Sequence, residues 1–507
     1  MNMKKLLLRL IKIIFFCLFI FVIYILISKV DLSYYLKRHY IRVERLYIII
    51  FDIILVLLFC IFKKNRIIND KQYKWIVIIL QCVIFIVQLV ITLNIEFKTE
   101  WDIGIIQNIV DNYIKNGYIG TNEYLTKYPN NLLLTSILII LKKLPFIGSY
   151  YITTLIFSIL LVNLSLLFIS LTIRNIKANN AGIVIYLLLF LLLIINPWYV
   201  IPYSDVFCLF AISLITYLYS KKNKNNRDIF IIGFIGILFS YIKPTVLICL
   251  ISILIIELIY NRNIKDYFIW NNKGKKIVIL ILSILIAVST NFILTKPLKF
   301  EPISGKHSMT IFHYLNMGQS NTSFGFHNEE DEINSYNYGY KYDIKSFKKR
   351  LFGKSFIGHK LQVTNKTLMA FNDGSFAWGQ YSNFFKQIKI EREKFNFLQN
   401  IYYSLGVYYR KYITFVTFIW LSILIFIPFI VFKKLEKIEY YIIINLVGIY
   451  IFLILFESYS RYLYSYVGLF SIISLLSIYN ISEGINKHLK SIKKTLVKRK
   501  SKIKKGI

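Results

Sequence analysis

The feature that most limits what this chain can become is its succession of apolar runs separated by polar connectors. Twelve runs are candidates for membrane crossing: 5–28, 46–62, 75–94, 150–173, 181–196, 204–220, 229–242, 244–261, 277–295, 411–432, 439–457 and 461–480. A bilayer core of about 30 Å needs roughly 20 apolar residues in a helix, and backbone at that depth must bond to itself. The 507 residues are 56% hydrophobic and only 17% charged, where a soluble domain carries roughly a quarter charged. The sequence therefore predicts an all-α polytopic membrane protein and excludes a soluble multi-domain one.

Charge sets the expected sidedness. Lys+Arg minus Asp+Glu is 62 − 26, or +36. Most of the excess lies in short connectors and in the tail from Lys487 to Lys505. The positive-inside rule and contact with anionic membrane lipids account for it, so no nucleic-acid partner is expected. The apolar stretch Leu132–Leu141 decides the topology. If it does not cross, the connectors with Arg174/Lys177, Lys221/Lys222/Lys224/Arg227, Arg262 to Lys276 and Lys433/Lys434/Lys437 all become cytoplasmic. The connectors around Asp205, Lys243 and Arg461 then face outside. If it does cross, every basic connector moves outside, against the rule. Residues 132–147 are thus expected as a re-entrant or interfacial helix on the outer face. The expected location is the plasma membrane, multi-pass, with both termini cytoplasmic. The 29–45 connector, with Lys29, Lys37, Arg38, Arg42 and Arg45, runs against the rule. No Ala precedes Ala178, so the first run is read as an uncleaved anchor.

This divides the chain into an N-terminal transmembrane hairpin (1–74), a transmembrane core (75–295) with an outer loop (95–149), an extracytoplasmic domain (296–410), C-terminal transmembrane helices (411–480) and a basic tail (481–507). The five cysteines lie in apolar runs without metal-like spacing.

Candidate chemistry collects on the expected outer side. Asp102, in Glu100-Trp101-Asp102-Ile103-Gly104, follows a span directly. A carboxylate in so partly desolvated a place can act as a general base towards a hydroxyl; the alternative is a solvated loop acid. Ile105–Lys115 has amphipathic helical spacing, and a turn at Tyr128-Pro129-Asn130-Asn131 leads into the non-crossing stretch. Asp205 follows Pro197 and Pro202 and is either functional or part of a helix N-cap. Lys243 either contacts a lipid-linked phosphate or snorkels to headgroups. Arg461 either clasps phosphate or pairs with Glu457 at i,i+4. His313, Asn316, His327 and Asp331 lie in a polar stretch that shapes a substrate pocket or folds a loop; no H-x-x-x-H or E-x-x-H spacing marks a metal site.

The order of a span, an early acidic residue, interfacial helices and the turn Tyr128-Pro129-Asn130-Asn131-Leu132 resembles the GT-C superfamily of membrane glycosyltransferases. That superfamily includes protein O-mannosyltransferases and aminoarabinose transferases. Asn130 stands where the family turn has a second proline. The Met317-Gly318…Gly325…Asp331 stretch and Glu457…Arg461-Tyr462 make the chain similar to Gram-positive integral membrane proteins of this type. The resemblance implies a GT-C-like bundle of about 12 transmembrane helices with interfacial helices in the first outer loop. It also implies a polyprenyl-phosphate sugar as donor, a cell-envelope glycopolymer or glycolipid as acceptor, and inversion at the sugar. By that likeness Asp102 would be the catalytic base, supported by Asp205. Tyr128, Asn130, Asn131, Lys243, His313, Asn316, His327, Asp331, Glu457, Arg461 and Tyr462 would bind substrate. No cofactor is implied, and the metal requirement stays open. The alternative is a transporter or flippase of a lipid-linked saccharide, which predicts charges buried mid-span and internal repeats. A third reading is an envelope polymerase or ligase of another many-span type.

Overall fold

The computed structural model describes residues 3–28, 43–62, 68–95, 99, 101–144, 150–260, 272–378 and 390–505. Glu100 and most of the basic residues of the 29–45 and 262–276 connectors lie outside these ranges.

Each of the twelve apolar runs forms a helix. They are α1 (Met3–Ile27), α2 (Arg45–Phe62), α3 (Asp70–Asn94), α7 (Tyr150–Ile176), α8 (Asn179–Leu189), α9 (Ser204–Ser220), α10 (Asn226–Ser240), α11 (Leu247–Tyr260), α12 (Asn272–Thr295), α17 (Tyr409–Phe426), α18 (Lys437–Leu455) and α20 (Val467–Lys505). Among the described residues, seven helices are long and apolar enough to cross a membrane, and three apolar segments, Asn179–Ile194, Ser204–Ser220 and Pro244–Tyr260, are shorter. The chain is thus an all-α polytopic membrane protein. Its shorter elements are α4 (Asp102–Asn116), α5 (Glu123–Lys127), α6 (Leu132–Lys143), α13 (Ile311–Gly318), α14 (Glu329–Phe352), α15 (Phe356–Phe371), α16 (Phe397–Tyr402) and α19 (Arg461–Tyr464).

Helix α6, the stretch that decides the topology, has 12 residues. At 1.5 Å per residue it reaches about 18 Å, well short of a bilayer core. It packs against α4, α7 and α12. The Ser136 hydroxyl donates to the Leu294 carbonyl at 2.6 Å, and Lys142 pairs with Asp111.

The connectors sort into two ends of the bundle. At one end Arg174 meets Asp70 at 2.8 Å, Lys177 meets Glu483 at 2.7 Å, Lys437 meets Glu257 at 2.6 Å, and Lys12 donates to the Lys433 carbonyl at 2.6 Å. Of these residues, Arg174, Lys177, Lys433 and Lys437 belong to the connectors that the charge pattern groups together. Asp102, Asp205, Lys243 and Arg461 follow or precede the opposite helix ends.

At that second end, the two long polar segments are stitched into one layer. Strands β1 (Gly120–Thr121) and β2 (Phe300–Glu301) pair in parallel, with Gly120 opposite Phe300. Met309 N–H donates to the Lys127 carbonyl at 2.9 Å. The layer is keyed into the bundle by the turn after α15. There Asn196 donates to the Gly374 carbonyl at 3.0 Å, Trp198 Nε1 to the Ser375 carbonyl at 3.0 Å, and Gly374 N–H to Thr417 Oγ1 at 3.1 Å. A Cβ on Gly374 would stand 2.4 Å from the Val416 carbonyl oxygen, so only glycine fits.

The arrangement predicts opposite accessibility at the two ends. In a cysteine-free background, Tyr118→Cys is labelled by a membrane-impermeant maleimide added outside intact cells, whereas Lys222→Cys is labelled only after permeabilisation.

Candidate functional site

Asp102 opens α4, and Trp101 before it caps the helix without a side-chain bond. The carboxylate therefore sits at the positive end of a helix, where an anion is favoured. The approach to it is tight: a Cβ on Gly104 would fall 1.7 Å from the Thr99 carbonyl oxygen. The Tyr203 hydroxyl donates to Asp102 Oδ2 at 2.9 Å, and the Tyr124 hydroxyl stands close by. Burial, then the Asp102 charge, holds the Tyr203 and Tyr124 phenols well above their ordinary range, so both remain donors.

Tyr203 is also the N-cap of α9, again without a side-chain cap bond. Asp205 is consequently released from capping, and its side chain does something else. Oδ1 accepts from Lys243 Nζ at 2.5 Å, and Oδ2 lies 3.4 Å from Arg461 Nε. All three residues are more than nine-tenths buried. Lys243 thus does not snorkel. Its ammonium also lies 4.1 Å from the Tyr462 ring centre. Arg461 turns its Nε to Asp205, and its guanidinium sits 5.3 Å from the rings of both Trp101 and Tyr203. Two cations share one carboxylate, packed among aromatic faces that favour positive charge.

Glu457 accepts from the Tyr462 hydroxyl and lies within electrostatic reach of Arg461 and Asp102. Burial pushes its carboxyl up from the ordinary range. The turn bearing it is fixed by Lys366, whose Nζ donates to the carbonyls of Gly318 at 2.9 Å, Ile454 at 2.8 Å and Phe456 at 2.5 Å. Burial, and after it the neighbouring Lys354, lowers the Lys366 ammonium to about 7, against the pull of the Glu457 charge.

The remaining sequence candidates divide. Tyr128 lies within reach of Asp102, its ring 5.2 Å from that of Tyr124. Asn131 is buried and donates to the Tyr124 hydroxyl at 2.7 Å, so it supports the site from behind; Asn130 is exposed on the turn. His327 is half exposed at the mouth, its Nε2 2.6 Å from Glu332 Oε2. His313, Asn316 and Asp331 face one another instead. His313 Nδ1 lies 2.7 Å from the Ser335 hydroxyl, and Arg350 grips both Asp331 oxygens at 2.7 Å. Burial drops His313 to about 4, leaving it neutral. This cluster ties α13 to α14, which is the loop-folding role.

Sequence reasoning missed Tyr203, Trp101, Tyr314, Glu332 and Lys127. The Tyr203–Asp102 bond joins residues 101 positions apart, and no local spacing announces such a pair. The adjacency of Tyr203 to Asp205 was the one available signal.

Residues 3–481 match the model of a family described as conserved hypothetical integral membrane protein. No curated protein and no solved structure matches the chain.

Two predictions follow from this geometry. Lys243→Gln leaves the buried Asp205 short of a counter-charge. It should lower stability by about 3–5 kcal/mol, read by thermal unfolding in detergent, and Asp205→Asn in the same chain should recover part of the loss. The second concerns His327, whose proton affinity is raised first by its bond to Glu332. Its stabilising charge is therefore fully present below the ordinary histidine value and is lost as pH rises through the higher folded value. NMR of selectively labelled protein should show His327 titrating above 6.5, and Glu332→Gln should return it downward.

Proposed function

The chain belongs to the conserved hypothetical integral membrane protein family, and within it we propose an inverting membrane glycosyltransferase of the GT-C type, drawing on a polyprenyl-phosphate sugar at the outer face of the plasma membrane. The observation that carries the proposal is the buried pairing of Lys243 and Arg461 around Asp205, with Asp102 joined to the same group through Tyr203. Two cations against one carboxylate leave a surplus positive charge, which suits a phosphodiester. Arg offers parallel donors to phosphate oxygens, and Lys a mobile point charge.

In this reaction Asp102 takes the proton of an acceptor hydroxyl as its oxygen bonds to the anomeric carbon. The bond from that carbon to the phosphate oxygen breaks, its electron pair leaves with the phosphate, and polyprenyl phosphate is released. Lys243 and Arg461 stabilise the charge developing on the leaving group. Asp205 holds those two cations side by side, a positioning role. The basic opposite end supports cytoplasmic termini. A bundle of twelve crossings supplies grooves for the lipid tail, and the acceptor belongs to the cell envelope. No cofactor enters the scheme.

The alternative of a lipid-saccharide transporter or flippase gains one observation. Asp52, inside α2, is 7% exposed and accepts from Ser422. A buried mid-helix acid is a common mark of transport.

The test is transfer of radiolabelled sugar from polyprenyl phosphate in proteoliposomes. Asp102→Asn should reduce it by about 10²–10⁴-fold while the protein still inserts and folds. Undiminished transfer removes Asp102 from the mechanism, and lipid movement without transfer favours the alternative.

A further inference from the structure

The cationic group accounts for one wall of the site. The wall on the other side of Asp102 carries side chains that neither the donor nor the base uses. Glu332, in the first turn of α14, accepts from Lys127 at 2.9 Å and from His327 at 2.6 Å, and the Tyr128 hydroxyl stands against the same carboxylate. The backbone N–H of His327 donates to the Tyr459 hydroxyl at 3.1 Å, which fixes this loop to the turn bearing Glu457. Tyr314, from α13, lies within electrostatic reach of Asp102, Glu332 and Glu457 together. Unlike Lys243 and Arg461, this wall has an exposed edge: the His327 side chain is 51% exposed, against 16% for Glu332 and 17% for Lys127.

We propose that this wall is the acceptor subsite, and that it selects a neutral or amine-bearing sugar over an acidic one. The inference rests on the glycosyltransferase reading for what happens next at Asp102, but the selection follows from the wall itself. Ionised carboxylates only accept hydrogen bonds, so Asp102 and Glu332 match hydroxyl or ammonium donors. Tyrosine rings give an amphipathic surface at low entropic cost. Lys127 and His327, the cations that the contacts place here, are both turned to Glu332. A carboxylate or phosphate on the acceptor would instead face the carboxylates of Asp102 and Glu332, and like charges brought together are rejected. Glu332 stays ionised at neutral pH, because its bond to His327, and after it Lys127, holds its carboxyl down at about 2.

The test uses the full chain in nanodiscs and three probes of one shape: octyl glucoside, octyl glucosaminide and octyl glucuronide. Direct binding is measured at pH 7 and low salt. The glucoside and glucosaminide should bind at least about tenfold more tightly than the glucuronide. Glu332→Gln should narrow that gap, and His327→Gln should widen it or leave it. Equal or tighter binding of the glucuronide overturns the inference, as does a gap that Glu332→Gln leaves untouched while the fold is intact. Transfer from polyprenyl-phosphate glucose is followed in the same samples. The expected binding order without transfer retains the subsite and removes the glycosyltransferase reading. Transfer with the order reversed retains that reading and removes the subsite.

Discussion

The bond between Asp205 and Lys243, with Arg461 on the other carboxylate oxygen, is the contact around which one end of the molecule is organised. Three ionisable groups are taken out of water together, at a cost that no single one of them could bear. The arrangement draws the start of α9, the α10–α11 connector and the α18–α20 connector to one point. Aromatic rings from Trp101, Tyr203 and Tyr462 close around the cations, and Tyr203 passes the organisation on to Asp102. A carboxylate at the head of α4 is thereby placed beside a cationic group contributed by helices far along the chain.

The layer above the bundle serves the same point from the other side. The β1–β2 pair joins the two long polar segments, and the turn at Gly374 anchors them beneath. Lys366 then fixes the carboxyl ends of α13 and α18, each of which leads into residues at the mouth of the site. Helix ends are natural seats for such a cation, because their last carbonyls have no partner within the helix. The acidic and cationic walls thus share supports, since the turn after α18 carries both Glu457 and Arg461 and the Tyr462 ring faces Lys243.

Much of the fold was legible because hydrophobic length and positive charge act through the whole chain. The twelve apolar runs each became a helix, and α6 came out at 12 residues, too short to cross a bilayer. The site was legible in part. Asp102, Asp205, Lys243 and Arg461 stand at helix ends, where an isolated charge is conspicuous. Their partners were not legible. Asp205 could cap or pair, Lys243 could pair or snorkel, and only the assembled bundle decides between neighbours more than thirty residues apart. His313 and Asp331 left two readings open for the opposite reason. Polar residues dense in one stretch resembled a pocket, whereas Arg350 and Ser335 use them to join two helices.

In the proposed reaction the Asp205-centred pair of cations receives a lipid phosphate next to Asp102. The most direct measurement is an electron cryo-microscopy map of the wild-type chain with a non-hydrolysable polyprenyl-phosphonate sugar. Phosphonate density is expected within hydrogen-bonding distance of Lys243 and Arg461, with the sugar beside Asp102. Density seated elsewhere, with the three side chains still closed on one another, would contradict it.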